Sequence, residues 1–305
     1  MRRWLWLILL SIDIGVGLGA CARRATLYDQ GVELQDKGEF PAALEQYKEV
    51  LARDPEHLRA RFNLAVIYHD QGNFAAAKAQ YQRLLQRYPR HARSLVNLAD
   101  IAETEGDLTQ AYVLLKRAVE AEPDRAYPYS YLGRFLHDRG RLAEAQTAYE
   151  RALAIENDAL THHRLGMLWL QQGNTAQAVA EFTKAVERDP NEGKSLYQLG
   201  LLAAAAGDTT EAIRYLQHLT ALAPRNAEVF LLLGQLYLRQ GQYNAAALHL
   251  WEARDLRPGS EEVEQLLLEV YDRLQKQQQE VLQHQSPHPA APTPSVAHDG
   301  MEKRR

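Results

Sequence analysis

Residues 58–89, LRARFNLAVIYHDQGNFAAAKAQYQRLLQRYP, read as two helices joined by a turn. Apolar residues recur at helical spacing through LRARFNLAVIYHDQG and again through FAAAKAQYQRLLQRYP, which gives each stretch one apolar face. Gly72 stands between them, where a residue free to take positive φ ends one helix and opens the turn. Pro89 stops the second helix, because it has no N–H to donate and restricts the residue before it. Leu64, Tyr68, Phe74, Tyr81 and Leu84 fill the seam between the two helices. Ala65 on the first and Ala77 on the second are small, and small residues set against each other let two antiparallel backbones approach closely.

The same arrangement recurs along the chain. Prolines fall at Pro55, Pro89, Pro123, Pro190, Pro224 and Pro258, in steps of 34, 34, 67, 34 and 34. The step of 67 is two copies, one of them a residue short, with Asn157 where a proline would stand. Gly38, Gly72, Gly106, Gly140, Gly173, Gly207 and Gly241 keep the frame, as do Ala43, Ala77, Ala111, Ala145, Ala178, Ala212 and Ala246. A third series is small on the first helix: Gly31, Ala65, Ala99, Gly133, Gly166, Gly200 and Gly234. One helix pair cannot bury its apolar side alone, so copies at this period stack into a shared core.

This pattern resembles the tetratricopeptide repeat family. The resemblance runs from about Arg24 to Pro258 and into an eighth first helix. It implies an all-α fold, an α-solenoid: a right-handed superhelix of about seven helix-turn-helix repeats closed by a C-terminal capping helix. The expected organisation is a leader over 1–20 and seven repeats over 21–258 (about 24–57, 58–91, 92–125, 126–158, 159–192, 193–226 and 227–260). A cap over 261–282 follows, then a disordered, proline-rich tail over 283–305. Ser260, Glu261 and Glu262 suit the N-terminus of the capping helix. The bulky aromatic near the start of the first helix survives only as Tyr129 and Phe230, and the shortened copy predicts a small irregularity near Asn157.

The first residues, MRRWLWLILLSIDIGVGLGAC, have a basic start, an apolar run and small residues before the sole cysteine. That is the layout of a secretory signal peptide. A membrane-spanning anchor is the alternative. The apolar stretch 4–20 is at the short limit for a span, and Asp13 would cost roughly 2.5–3.5 kcal/mol at a bilayer centre. Leu18-Gly19-Ala20-Cys21 resembles the bacterial lipobox. That resemblance implies cleavage before Cys21 and acylation at Cys21, and more than one acyl chain gives stable anchoring. In a Gram-negative cell the same resemblance implies, with Ala22 and not aspartate after the cysteine, sorting to the periplasmic face of the outer membrane of the bacterial cell envelope.

Composition narrows the function. A net charge of −4 over 305 residues is too small to point to nucleic acid. One cysteine rules out an intramolecular disulfide framework and multi-cysteine metal sites. HExxH, P-loop, GxSxG and zinc spacings are not found in the sequence. The glycines of GVGLG precede no helix that follows a strand. Among eleven histidines, His162 and His163 point in different directions, His69 and His137 stand two repeats apart, and His284 and His288 lie in the tail. All read as solvent-exposed polar residues. The expectation is therefore no catalytic residue, no metal, no cofactor and no small-molecule substrate. An envelope hydrolase with a groove-borne site has no residue in its favour.

The resemblance places partner binding on the first helices, along a concave groove. Arg59, Phe62, His69, Asp70, Arg93, Asp100, Glu103, Tyr127, Arg134 and Asp138 make its early part polar. Leu160, Met167, Leu170, Tyr197, Leu201, Ala204, Leu231 and Leu238 make its later part apolar, an expected binding strip for protein partners. Either the capping helix or the curve of the array is the alternative occupant of that strip. Relatives that clasp a chaperone's terminal carboxylate match here only at Asn63 and Arg93, out of Tyr28, Val32, Asn63, Arg93 and Asn97, so that mode is disfavoured. Asn63 and Asn97 share a repeat position suited to holding an extended peptide backbone. The function implied is a membrane-anchored, non-enzymatic scaffold assisting assembly of a type IV pilus, secretion or exopolysaccharide-export complex.

Overall fold

A computed structural model describes residues 27–285. All regular structure among them is helical: α1 (27–36), α2 (Phe40–Arg53), α3 (Leu58–Asp70), α4 (Phe74–Arg87), α5 (Ala92–Thr104), α6 (Leu108–Ala121), α7 (Ala126–His137), α8 (Leu142–Ile155), α9 (Ala159–Gln171), α10 (Thr175–Arg188), α11 (Gly193–Ala205), α12 (Thr209–Leu222), α13 (Ala227–Arg239), α14 (Tyr243–Leu256) and α15 (Glu261–Gln285). The chain divides into two compact units, the first ending at Glu181 and the second beginning at Phe182, inside α10. Within the first, α3 packs on α4, α5 on α6 and α7 on α8. Within the second, α11 packs on α12, α13 on α14 and α14 on α15. Each unit is thus a stack of helix pairs, an α-solenoid.

The turns follow from their residues. Gly72 has φ of 72° with no atom within 4 Å of where a β-carbon would stand. Backbone conformation alone demands glycine there, and the six equivalent glycines share the positive φ. Side chains close the helix starts: Asn73 accepts from the Ala76 N–H, Asp107 from Gln110 and Asp208 from Glu211, each satisfying a donor the helix leaves unpaired.

The small residues of the first helices have a different mate from the one the sequence suggests. A β-carbon on Gly133 would lie 2.6 Å from the Tyr149 ring, and one on Gly31 2.6 Å from the Tyr47 ring. Gly200 and Gly234 likewise admit Leu216 and Leu250. The seam is therefore small against large, and knob enters hole. Tyr47, Tyr81 and Tyr149 are wholly buried, as are the alanines of the second helices from Ala43 to Ala246.

The missing residue of the fourth copy is taken from the connection, not from a helix. Three residues join α8 to α9, against four in the equivalent joints. The cap residue Glu156 turns extended, with ψ of 120°, and Asp158 caps α9 by accepting from the Thr161 N–H. Where most first helices carry an apolar residue, His162 stands here, 6% exposed. Its Nδ1 lies 2.6 Å from Glu181 Oε2 and its Nε2 2.6 Å from Asn157 Oδ1. The asparagine that replaces proline is thus held by a buried histidine, so the solvent-exposed reading of His162 is corrected.

Helix α15 buries Val263, Leu267 and Val270 against the second unit's core. It begins with Glu261, Glu262 and Glu264, which complement the partial positive charge of a helix start. The helix runs three residues past 282, through Gln283 and His284 to Gln285. The tail beyond Gln285, the leader and Cys21 lie outside the described residues.

Candidate functional site

In the first unit α7 lies beside both α5 and α9, so the first helices form a surface of their own. Its early part is polar and closed on itself. Arg134 reaches Glu103 Oε2 at 2.9 Å, Asp100 Oδ1 at 3.3 Å and Asp138 Oδ2 at 3.4 Å. His69 Nε2 lies 3.2 Å from Asp100 Oδ2. Burial is the largest influence on Arg134 and lowers its pKa, but Glu103 and Asp100 together hold it above the ordinary arginine value. Arg139, which the sequence did not single out, donates to Glu103 Oε1 at 3.0 Å and lies 3.7 Å over the Phe135 ring. It stands in the turn just before Gly140, where repeat position carries no sign of a groove role.

Asn63 and Asn97 perform one structural task in successive copies. Asn97 donates from Nδ2 to Tyr81 Oη at 2.8 Å, and Asn63 to Tyr47 Oη at 3.1 Å. Each holds the hydroxyl of a buried tyrosine on the preceding second helix. Tyr127 donates to Glu122 at 3.0 Å, lies under Arg93 and packs on the first unit's core. Burial raises its pKa, with Glu122 acting in the same direction.

The apolar part is divided between the units. In the first, Met167 and Leu170 on α9 are half-buried, and Leu160 is 43% exposed. In the second, Leu201 on α11 is half-buried, while Tyr197, Leu231 and Leu238 pack on that unit's core. Tyr197 donates to Glu228 at 2.7 Å, and burial foremost, then Glu228, pushes its pKa up to about 12. Leu238 lines a cleft of about 680 Å³ bordered by Leu266, Glu269 and Arg273 of α15. Within the second unit the capping helix therefore shelters the far end of the apolar series.

The chemistry at hand is recognition. His162 has both ring nitrogens occupied, which removes it from acid–base work on a bound molecule. Among the described residues no group of three or more His, Cys, Asp or Glu is placed to hold a metal ion. No described helix is long and apolar enough to cross a membrane. A stack of helix pairs with a mixed polar and apolar first-helix surface defines the class: a helical repeat scaffold of the protein-interaction kind.

Tetratricopeptide repeat models match residues 28–77, 69–126, 102–168, 169–236 and 203–270, one of them across more than half of the chain. The chain belongs to the tetratricopeptide repeat family. It is similar in fold to PilF of Pseudomonas aeruginosa, with 24% identity and a TM-score of 0.62, over 72% of this chain and 99% of that one. It is also similar to PilW, a widely conserved type IV pilus biogenesis factor, with 21% identity, a TM-score of 0.58 and coverage of 69% and 98%. Yeast Tom70 matches with 17% identity and a TM-score of 0.59, over 84% of this chain and 54% of that one. No curated protein sequence matches it.

Proposed function

We propose that this chain is a non-enzymatic scaffold, lipid-anchored at Cys21 on the periplasmic face of a bacterial outer membrane, which binds protein partners of an envelope assembly on its first-helix surface. The observation that carries the reading is a change of chemistry at fixed repeat positions. Asp100 and Arg134, locked in ion pairs, give way in the next two copies to half-buried Met167 and Leu201. Glu103 likewise gives way to Leu170 two copies on. Apolar residues beyond the needs of the core mark a surface for another molecule. Among envelope assemblies, the likeness to a type IV pilus biogenesis factor favours the pilus.

Two measurements test it. Labelled palmitate enters the wild type and is lost in Cys21→Ser, and a wild type that takes up no label refutes the anchor. Met167→Asp combined with Leu170→Asp weakens partner capture at least about tenfold, since a carboxylate buried without a partner is strongly unfavourable. Helical signal and melting temperature stay near wild type. Unchanged capture refutes the apolar site.

A further inference from the structure

Arg164 is the unexplained charge of the first unit. It occupies on α9 the repeat position that holds Asn63 and Asn97 in earlier copies. Those asparagines satisfy the hydroxyls of Tyr47 and Tyr81. Arg164 does not do this for Tyr149, whose buried hydroxyl has no hydrogen-bond partner among the described residues. Instead it turns across the seam between α7 and α9, donating from Nη1 to Ser130 Oγ at 2.7 Å, with its guanidinium 5.3 Å from the Tyr131 ring centre. Ser130 is itself buried and bonded to Thr161 at 2.8 Å, so the guanidinium is held from a fixed point.

The contrast with Arg134 is sharp. Arg134 lies among three carboxylates, whereas Arg164 makes no ion pair among the described residues. Its pKa is lowered, burial being the largest cause, and the main opposing influences are the tyrosines Tyr149 and Tyr131. Asp158 has the weakest influence of the neighbouring charges on it and is committed as the cap of α9. A half-buried guanidinium with one of five donors used, beside an orphaned hydroxyl, weakens the fold twice over. Asparagine would repair both defects. Residues that weaken a fold in this way are expected at functional positions.

We infer that Arg164 seats a side-chain carboxylate of the bound partner, an aspartate or glutamate within an extended, otherwise apolar segment. The inference rests on the first-helix surface being the binding surface. A side chain, not a chain end, fits because the surface continues on both sides: the polar network of Arg134 one way, Leu160, Met167 and Leu170 the other. The acids around Arg134 admit one such carboxylate and repel an acidic run. Charge-assisted contacts to guanidinium are the strong ones, which makes Arg164 the point that fixes register.

The test selects a random peptide library, fused at its C-terminus to the carrier, on the full-length protein in detergent. Wild type should retain peptides with one acidic residue beside apolar ones. Changing that acid to its amide should weaken binding about tenfold or more. Arg164→Asn should bind the acid and amide forms equally and melt no lower than wild type, because it pairs Tyr149. Acid preference that persists in Arg164→Asn overturns the inference, as does acid preference confined to peptides with a free C-terminus. Peptides that lose binding with Met167→Asp yet ignore Arg164→Asn leave the surface reading standing and remove Arg164 from it. A library that yields no binder refutes both.

Discussion

At Gly133 a β-carbon would meet the Tyr149 ring at 2.6 Å, and at Gly72 nothing would obstruct one. Two glycines of one repeat type thus do different physical work. Gly133→Val overpacks a filled seam and should cost about 1–3 kcal/mol. Gly72→Ala strains only the backbone and should cost about 1–2 kcal/mol. Denaturant melts measure both, and a Gly133→Val variant as stable as wild type contradicts the small-against-large seam. His91 makes a pH prediction. Its Nδ1 accepts from the Ser94 N–H at 3.3 Å and caps α5. Burial, the largest cause, sets its pKa below the ordinary 6.5, with Glu122 opposing and Arg93 assisting. Burial lowers His249 in the same way, with Glu252 opposing. Between the folded and unfolded pKa values the unfolded chain binds more protons, so stability rises with pH there. The contribution is complete above about 6.5 and is lost as pH falls through the folded value. Melting temperature should therefore drop from about pH 7.5 to about pH 5, and less in His91→Asn, which caps without titrating. A pH-independent melt contradicts this.

The helix pair is the level at which the sequence was most legible. Proline, glycine and alanine in one frame placed the turns and both helices of each pair, because turn conformation and helix period are local properties. Contacts between successive copies were not legible. Asn63 and Asn97 looked like peptide-holding residues, but their amide nitrogens are engaged by tyrosines one copy back. His162 looked exposed, because nothing local says that a shortened joint brings Asn157 and Glu181 to its ring. Arg164 carried no signal, since an arginine is explained or unexplained only by which carboxylates surround it. At the far end, Leu268 stands in α15 where the seven copies keep glycine or alanine, and it is 69% exposed. A leucine there bars the close approach that a second helix of ordinary register needs, so among the described residues the helix pairs end before α15.

Each unit as a whole is held by nearest-neighbour burial, so stability is distributed and ends matter. Removing residues 261–305 strips Val263, Leu267 and Val270 from the second unit's core, at roughly 1.5–3 kcal/mol for each aliphatic side chain. Hydrogen exchange should then quicken through α13 and α14 while α5 to α8 keep their protection. Uniform quickening, or none, contradicts the local character of the stack. Partners are held on the first helices and not on the second. Photo-crosslinking in living cells tests it most directly, with the reactive side chain placed at Leu160 or Leu201 on first helices, or at exposed Lys116 or His218 on second helices. A discrete protein adduct is expected from the first-helix positions Leu160 and Leu201, each taken by itself, and none from Lys116 or His218. An adduct formed only from Lys116 or His218 would contradict it.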